Sequence, residues 1–262
     1  MTSVRVPILP HLDAERILEI FRRAPGSEVK SGKFFSPESS AALAANTFGL
    51  FLDDASHLPF LPGLKKLRWQ PDPVELEAVV RLPWSGGLHP CLDALVRTPD
   101  ALIGIESKRY EPYRVRKART HSAAYQRDKW GDRMRGYCAV WSTIATKTCK
   151  YKVVDVAQLI KHAFAIRTQI HREKDEGRIG VLYYLYAEPD SWPDGRRVDP
   201  ERKATHLDEI GEFSNEVGSD EVQFVACSYR ELLASWEMSE DLPLKSHARA
   251  VAEWAGLNAA TA

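Results

Sequence analysis

Two spacings of apolar side chains run through the chain, and each is typical of a different kind of element. Residues 11–23 place apolar side chains every three or four positions, which is the spacing of one helix face. A second helix start is indicated by Ser36, Pro37 and Glu38. A capping hydroxyl, a proline at the first helical position and an acid in the first turn occur together there. We expect that helix to continue to about Asp53.

Other segments have the features of strands. Residues 74–82 alternate between apolar and polar side chains, which predicts a strand with one buried face. Residues 91–110 predict two short strands joined by a turn, since alternation resumes on both sides of a Thr-Pro-Asp sequence. Residues 178–187 are almost continuously apolar and residues 222–227 form a shorter apolar run, so both are expected to be strands.

Helices are expected between and after these strands. The segment 114–134 is basic and is predicted to be helical, whereas 136–154 has no clear pattern. A further helix is expected to begin at Asp155, and its apolar positions have helical spacing: Val156, Leu159, Ile160, Ala163, Ile166 and Ile170. Another helix is expected from about Tyr229. The resulting order is helix, three strands, helices, strand, and then a further strand and helix. It predicts an α/β (α+β) fold with a mixed central sheet flanked by helices.

Composition is typical of a soluble globular protein, because 44% of the residues are hydrophobic and 27% are charged. The 262 residues contain neither a repeat nor a clear linker, so we expect a single domain over 1–262. No apolar run reaches the ~18 residues that a membrane span needs, and the N-terminus lacks the pattern of a signal peptide. We therefore expect no membrane partner. Four scattered cysteines predict reduced thiols and a cytoplasmic location.

The chain has no net charge, but its charges are unevenly distributed. Residues 108–135 contain ten lysines and arginines against three acids, and residues 188–221 contain eleven acids against four lysines and arginines. The basic segment also carries aromatic side chains, which either stack on unpaired bases or cover the core. It is therefore either a nucleic-acid-binding surface or a solvated basic helix that pairs with the acidic segment.

The hairpin at 91–110 carries the candidate chemistry. If its turn is centred between the proline and the aspartate of Thr-Pro-Asp, Asp93 lies directly opposite Glu106. Lys108 then lies two residues further along the same face as Glu106. Opposed carboxylates with Cβ atoms roughly 4.5–5.5 Å apart repel each other, so a bound cation is expected between them. An ammonium group beside such a cation suits hydrolysis of a phosphodiester. The alternative is a solvated strand end with a surface ion pair.

The other face of this hairpin is expected to be apolar without interruption. Its members are Leu92, Ala94, Val96, Ile103 and Ile105. The charged trio is then expected away from the main core, at one end of the sheet. Gly104 lies on the face of the trio and has no side chain that blocks approach to Glu106.

Asp93, the Glu-Ser-Lys sequence that begins at Glu106, and the order of elements around them resemble the PD-(D/E)xK nuclease superfamily. That superfamily has the restriction-endonuclease-like fold, with an αβββαβ core. The resemblance covers about residues 36–187 and leaves 188–262 as a C-terminal strand and helix extension. One departure is that Leu92 stands where the motif has a proline.

The resemblance implies a Mg²⁺-dependent deoxyribonuclease in which Mn²⁺ is expected to substitute for Mg²⁺. Asp93, Glu106 and the backbone carbonyl of Ser107 would be the metal ligands. Lys108 would position or activate the attacking water. DNA is the expected partner, and a homodimer stays open.

Four further residues are candidates for contact with a metal or a phosphate, and most of them also have a purely structural interpretation. Glu38 is either a carboxylate that complements the helix dipole or a ligand of a second metal. Gln158 either completes a capping box with Asp155 or points to the scissile phosphate, as a glutamine or lysine does in related nucleases. Lys161 and His162 lie on the predicted polar side of the same helix. His162 is interpreted first as a polar-face residue, with an auxiliary phosphate contact as the lesser alternative.

The basic side chains expected to contact nucleic acid are Arg109, Arg114, Arg116, Lys117, Arg119, Lys161 and His162. Two alternatives to a nuclease remain. One is a catalytically inactive nucleic-acid-binding module on the same fold. The other is a protein-interaction domain whose oppositely charged segments pair within or between chains.

Overall fold

The computed structural model describes residues 6–64, 67–115, 123–126, 129–173 and 177–257. Across these ranges, five strands form one sheet in the order β1-β2-β3-β4-β5. The strands are Val74–Val79 (β1), Cys91–Arg97 (β2), Ala101–Lys108 (β3), Ile179–Tyr186 (β4) and Val222–Ser228 (β5). Seven α-helices accompany them in the same ranges: Ala14–Arg23 (α1), Ser40–Phe48 (α2), Arg135–Ala145 (α3), Val156–Glu173 (α4), Pro200–Val217 (α5), Tyr229–Glu237 (α6) and Leu242–Ala255 (α7).

The sheet is mixed, and β3 is its central strand. β1 and β2 are antiparallel, as are β2 and β3, whereas β3 with β4 and β4 with β5 are parallel pairs. Parallel neighbours need a crossover connection, which α3 and α4 provide between β3 and β4, and α5 provides between β4 and β5. The predicted α/β class with a mixed sheet flanked by helices is confirmed.

Helices cover both faces of the sheet, because apolar side chains on its inner strands alternate between two cores. One core joins Ile105 of β3 and Tyr183 of β4 to α1, α2, α6 and α7, which we name the first helix layer. The other core joins Leu102 of β3 and Tyr184 of β4 to α3, α4 and α5, the second helix layer. The C-terminal part of the chain therefore adds β5 to the sheet and helices to both layers.

The β2–β3 hairpin has the register predicted from its turn. The observed pairs are Ala94–Ile105, Leu95–Gly104, Val96–Ile103 and Arg97–Leu102. Continued by one position, this register puts Asp93 opposite Glu106. Within the turn, Oγ1 of Thr98 accepts the backbone N–H of Ala101 at 2.9 Å, which stabilises the change of direction.

The apolar face of the hairpin is interrupted, contrary to the expectation. Ala94 and Val96 face the first helix layer, but Leu92 packs into the core of the second layer. The change occurs where β1 is distorted: Glu77 has a φ of 50°, in the left-handed region, and lies opposite Asp93 by the register of the neighbouring pairs. A residue in that conformation interrupts the two-residue repeat, so side chains before and after it point to different faces.

Gly104 serves close packing of α4 and does not leave an open approach to Glu106. A Cβ atom at this glycine would lie 2.7 Å from Cδ1 of Ile166 on α4 and 2.7 Å from Cδ1 of Leu92. Both distances are shorter than van der Waals contact. The missing side chain therefore lets the helix approach the central strand.

The second predicted helix begins later than expected. Ser39, not Ser36, is its N-cap, and its Oγ accepts a backbone N–H of the first turn at 3.0 Å. Glu38 therefore precedes the helix and is not a first-turn carboxylate. The α-helix ends at Phe48, and a 3-10 turn continues the chain over Gly49–Phe51.

The helix predicted over 114–134 is wrong for the part of that segment that the structure describes. The described part contains short 3-10 turns at Ala123–Gln126 and Asp132–Met134. The α-helix of this region, α3, begins instead at Arg135 and occupies part of 136–154, where no element was predicted.

All four cysteines are free thiols, as expected. Over the described ranges, none of the helices combines the length and the apolar character that crossing a bilayer requires.

Candidate active site at the end of the central strand

The end of β3 places two charged side chains between the sheet and α4. Glu106 and Lys108 are two positions apart on one strand and therefore point to the same face. Glu106 is only 1% exposed. Its carboxylate forms an ion pair with Nζ of Lys108, whose side chain is 12% exposed. The expected position away from the core and the solvated alternative are both wrong, because this pair is buried inside the fold.

The first turns of α4 supply two more members of the cluster. Oε1 of Gln158 accepts a hydrogen bond from Nζ of Lys108 at 3.1 Å, so this side chain faces the site. Nδ1 of His162, one helical turn later, lies 3.1 Å from Oε2 of Glu106 without the alignment of a hydrogen bond. His162 is buried, so its predicted place on an exposed polar face is wrong.

Two carboxylates hold the backbone at the start of α4. Asp155 accepts the backbone N–H of Gln158 at 3.1 Å. Glu209 of α5 is buried and accepts the three consecutive backbone N–H groups of residues 152–154, at 2.6, 2.9 and 2.7 Å. Charge-assisted hydrogen bonds of this kind are strong and directional. They fix the loop that leads into α4 and thereby position Gln158.

Asp93, at the start of β2, approaches the same end of β3. Its Oδ2 accepts the backbone N–H of Ser107 at 2.7 Å. The Ser107 side chain points to the first layer, where its hydroxyl lies 2.7 Å from the hydroxyl of Tyr229. The role of the Ser107 carbonyl as a metal ligand stays a prediction. The structure thus brings together the four residues predicted to be catalytic: Asp93, Glu106, Lys108 and Gln158.

Glu77 belongs to this group, and the sequence did not reveal it. It is half-buried on β1 and accepts a hydrogen bond from Sγ of Cys91 at 3.4 Å. Burial raises the pKa of Glu77 to about 7; the Cys91 bond opposes this shift, and the charges of Glu28 and Glu106 add to it. The pairing of β1 with β2 puts Glu77 opposite Asp93, but the long loop between these strands means that the sequence does not fix this register.

The cluster contains more acidic groups than ammonium groups, and its members shift one another's pKa values. Burial, followed by the charge of Glu106, raises the pKa of Asp93 well above its usual range. Burial alone would raise the pKa of Glu106 as well, but the charge of Lys108, and then that of His162, lowers it. The attraction of Glu106 in turn raises the pKa of Lys108 against the effect of burial. One ammonium is thus in direct contact with Glu106, while Asp93 and Glu77 add further acids.

The donor chemistry of the cluster suits a hard divalent cation. Mg²⁺ prefers oxygen ligands and usually keeps several waters, so one or two carboxylates suffice to bind it. Asp93 and Glu106 supply two. Within the described residues, no three His, Cys, Asp or Glu side chains form a ready metal-binding group. Glu106 already contacts Lys108 through one carboxylate oxygen and His162 through the other, so a cation bound there shares an oxygen with one of them or replaces that contact.

Glu38, for which one interpretation was a ligand of a second metal, and Arg114, predicted to contact nucleic acid, are paired with each other. Their carboxylate and guanidinium groups form an ion pair at a partly exposed position. The Arg114 guanidinium also lies 5.9 Å from the ring centre of Trp192. Neither residue joins the cluster at the end of β3, so the structure does not support Glu38 as a ligand there.

Arg109 is buried on the other side of the sheet from Lys108, and its predicted contact with nucleic acid is wrong. Side chains alternate along the strand, so Arg109 follows Ser107 toward the first layer. Its Nη2 donates to the carbonyl of Ala255 at 3.0 Å, and its guanidinium lies 4.6 Å from the ring centre of Trp254 on α7.

The remaining basic and aromatic candidates divide into three groups. Nζ of Lys161 lies 5.4 Å from the ring centre of Tyr125 and 5.9 Å from that of Trp141, so its charge is held by aromatic faces of the second layer. Three predicted contacts fall outside the described residues: Arg116, Lys117 and Arg119. The aromatic side chains of the basic segment cover the cores and are all buried: Tyr110, Tyr113, Tyr125, Trp130 and Tyr137.

No family model, curated protein or solved structure matches the chain.

Proposed function

We propose that the protein is a metal-dependent nuclease of the restriction-endonuclease-like type, which hydrolyses DNA phosphodiester bonds at the end of β3. The observation that carries this proposal is the buried contact of Glu106 with Lys108, joined by Gln158 from α4 and flanked by Asp93 from β2. The order of α2, β1, β2, β3, α4 and β4 matches the αβββαβ order of that fold, with α3 as an addition.

Each side chain has a distinct part in the proposed reaction. Asp93 and Glu106 provide carboxylate oxygens for a divalent cation, and a bound cation would favour the charged form of Asp93. The bound metal supplies neutralisation of the scissile phosphate. Lys108 places an ammonium group where negative charge develops in the transition state. Gln158 holds that ammonium in position through its amide oxygen.

Mn²⁺ titration and DNA cleavage on the same set of proteins test the proposal. The wild type is expected to bind Mn²⁺ in a calorimetric titration and to nick plasmid DNA in Mg²⁺ or Mn²⁺. Glu106→Gln, a nearly isosteric change, is expected to lose both properties. Lys108→Met is expected to lose cleavage but to keep Mn²⁺ binding, because the carboxylates remain.

The matched control is Glu75→Gln, which changes an exposed carboxylate on β1 that lies 3.6 Å from the guanidinium of Arg97. It is expected to keep both Mn²⁺ binding and cleavage. Circular dichroism establishes that each variant is folded. Full cleavage by folded Lys108→Met, or unchanged Mn²⁺ binding by folded Glu106→Gln, would contradict the proposal.

A nucleic-acid-binding module without catalysis is the second candidate, and one observation favours it. Glu106 already has Lys108 and His162 as neighbours, so its charge is compensated by the protein's own side chains. This function predicts DNA binding that weakens steeply as the salt concentration rises. Such binding, without Mn²⁺ uptake and without cleavage, would select this candidate.

A further inference from the structure

A cavity of about 540 Å³ lies beside Arg109, on the first-layer side of the sheet. A volume of this size is within the range of small-molecule pockets. Its walls are of mixed polarity, and the apolar part is formed by Pro7, Ile8, Phe35, Pro37, Tyr110 and Trp254. The Glu106 cluster is on the other face of the sheet, so this cavity is separate from the proposed nuclease site.

Arg109 is a buried cation whose hydrogen-bond donors are incompletely used. It is 6% exposed. Its Nη2 donates to the carbonyl of Ala255, but its buried Nε has no hydrogen-bond partner. A guanidinium carries five N–H donors, and a buried donor without an acceptor is unfavourable. The residue is therefore suited to an additional acceptor.

The neighbours of Arg109 compensate only part of its charge, although the nearby carboxylate of Glu111 acts to raise its pKa. Ala255 is the last residue of α7, and the carbonyl end of a helix carries about half a negative charge. The rings of Trp254 and Tyr110, whose centres lie 4.6 and 5.5 Å from the guanidinium, add cation–π attraction. Burial nevertheless lowers the pKa of Arg109, which indicates that the charged form is incompletely stabilised.

We infer that this cavity binds a small aromatic monocarboxylate. The carboxylate pairs with Arg109, and the aromatic body lies against the rings of Trp254 and Phe35. A single negative charge suits the site, because Arg109 is the only Lys or Arg among the described residues that line it. Glu253 also lines the cavity and disfavours a dianion such as phosphate.

Binding of 2-naphthoate to the full chain tests this inference, with ligand fluorescence and calorimetry as readouts. We expect saturable binding at one site. The neutral analogue 2-naphthamide is expected to bind at least about tenfold more weakly, since it lacks the charge-assisted pair with the guanidinium. Inorganic phosphate is expected not to compete. Absence of saturable 2-naphthoate binding, or equal affinity for the acid and the amide, overturns the inference.

Variants locate the binding at Arg109. Arg109→Met keeps an apolar stem and is expected to weaken 2-naphthoate binding at least about tenfold while leaving 2-naphthamide binding unchanged. The matched control, Arg249→Met, removes an exposed arginine from the same helix layer and is expected to have no effect. Unchanged 2-naphthoate affinity in folded Arg109→Met contradicts the assignment.

A second variant covers the case in which Arg109→Met does not fold. Pro193→Trp adds bulk at an exposed residue of the cavity wall and leaves the guanidinium in place. It is expected to weaken the binding of both naphthalene ligands by steric exclusion. If the affinity for 2-naphthoate is unchanged in this variant, the ligand does not occupy the cavity and the inference fails.

Discussion

Gln158 accepts a hydrogen bond at 3.1 Å from the ammonium group of Lys108, and this bond ties α4 to the end of the central strand. The same ammonium contacts Glu106. The helix therefore does more than cover the sheet: its first turn fixes the direction in which the lysine side chain extends.

Gln158→Leu keeps the approximate size of the side chain and removes this acceptor. We expect DNA cleavage to slow about tenfold, because a hydrogen bond to a charged group contributes about 1.5 kcal/mol. Mn²⁺ affinity is expected to stay unchanged, because both carboxylates remain. Single-turnover cleavage rates measure the effect, with Gln169→Leu, at an exposed bond on the same helix, as the control. An unchanged rate would show that the bond does not position Lys108.

Glu77→Gln is expected to change stability and metal binding in opposite directions. The carboxylate is half-buried near Glu106, and burial raises its pKa to about 7, so its charged form destabilises the fold at higher pH. Removal of the charge is therefore expected to raise the free energy of unfolding above that pH. Mn²⁺ affinity is expected to fall by on the order of 1 kcal/mol, since one nearby negative charge is lost. Urea denaturation and calorimetry measure the two effects, and a loss of both properties would contradict this role.

Gly104→Ala is expected to destabilise the protein by about 1–3 kcal/mol, because the added Cβ overlaps the end of Ile166. Ile166→Val removes that methyl group. The double variant is therefore expected to be more stable than the sum of the two single effects predicts. Urea denaturation gives the coupling. Gly211→Ala on α5, where a Cβ meets nothing within 4 Å, is the control and is expected to be neutral or stabilising. Strict additivity of the first two changes would mean that the contact is relieved elsewhere.

Glu209→Gln tests the loop that precedes α4. The carboxylate accepts three backbone N–H groups, and an amide cannot accept them equally well. We expect a loss of about 2–3 kcal/mol in the free energy of unfolding. Glu212 lies on the same helix as Glu209, and Glu212→Gln, which weakens its exposed ion pair with Lys150, is expected to cost less than about 1 kcal/mol. Equal effects of the two substitutions would argue against a special role of the buried carboxylate.

His206 is expected to contribute to acid destabilisation. It is fully buried beside the hydroxyl of Tyr184, and burial lowers its pKa to about 4. An unfolded histidine titrates near pH ~6.5, so between these two values the unfolded state binds more protons. The free energy of unfolding should therefore fall as pH decreases through this window, by up to about 1.4 kcal/mol per pH unit. His206→Gln should flatten that part of the profile in urea denaturation, and an unaltered slope would exclude the effect.

The parts of the fold that follow from local signals were predictable from the sequence. The turn at Thr98 fixes the β2–β3 register, and that register determines that Asp93 meets Glu106. Alternation then places Lys108 beside Glu106. Gln158 was a candidate because related nucleases carry a glutamine or lysine on a helix beside the sheet, but its contact with Lys108 was not predicted.

The parts that depend on distant segments were not predictable in the same way. Glu77 lies opposite Asp93 through the pairing of β1 with β2, and the long loop between these strands does not fix that register from the sequence. Glu77 also adopts a left-handed backbone conformation, which a glycine would have indicated but a glutamate does not. Arg109 is buried by α7, which follows it by more than a hundred residues, so the basic segment alone suggested a surface position. Helical spacing put His162 on the polar face of α4. It does not show that this face packs against the buried carboxylate of Glu106.

The distortion at Glu77 makes one strand belong to two layers. Val74 and Leu76 enter the core of the first layer, whereas Ala78 enters the core of the second. If the helices of one layer detach from the sheet, β1 loses packing on that face, and the same strand also packs against the helices of the other layer. The two sides of the sheet are mechanically linked at this point, so we expect them to melt together and not in succession.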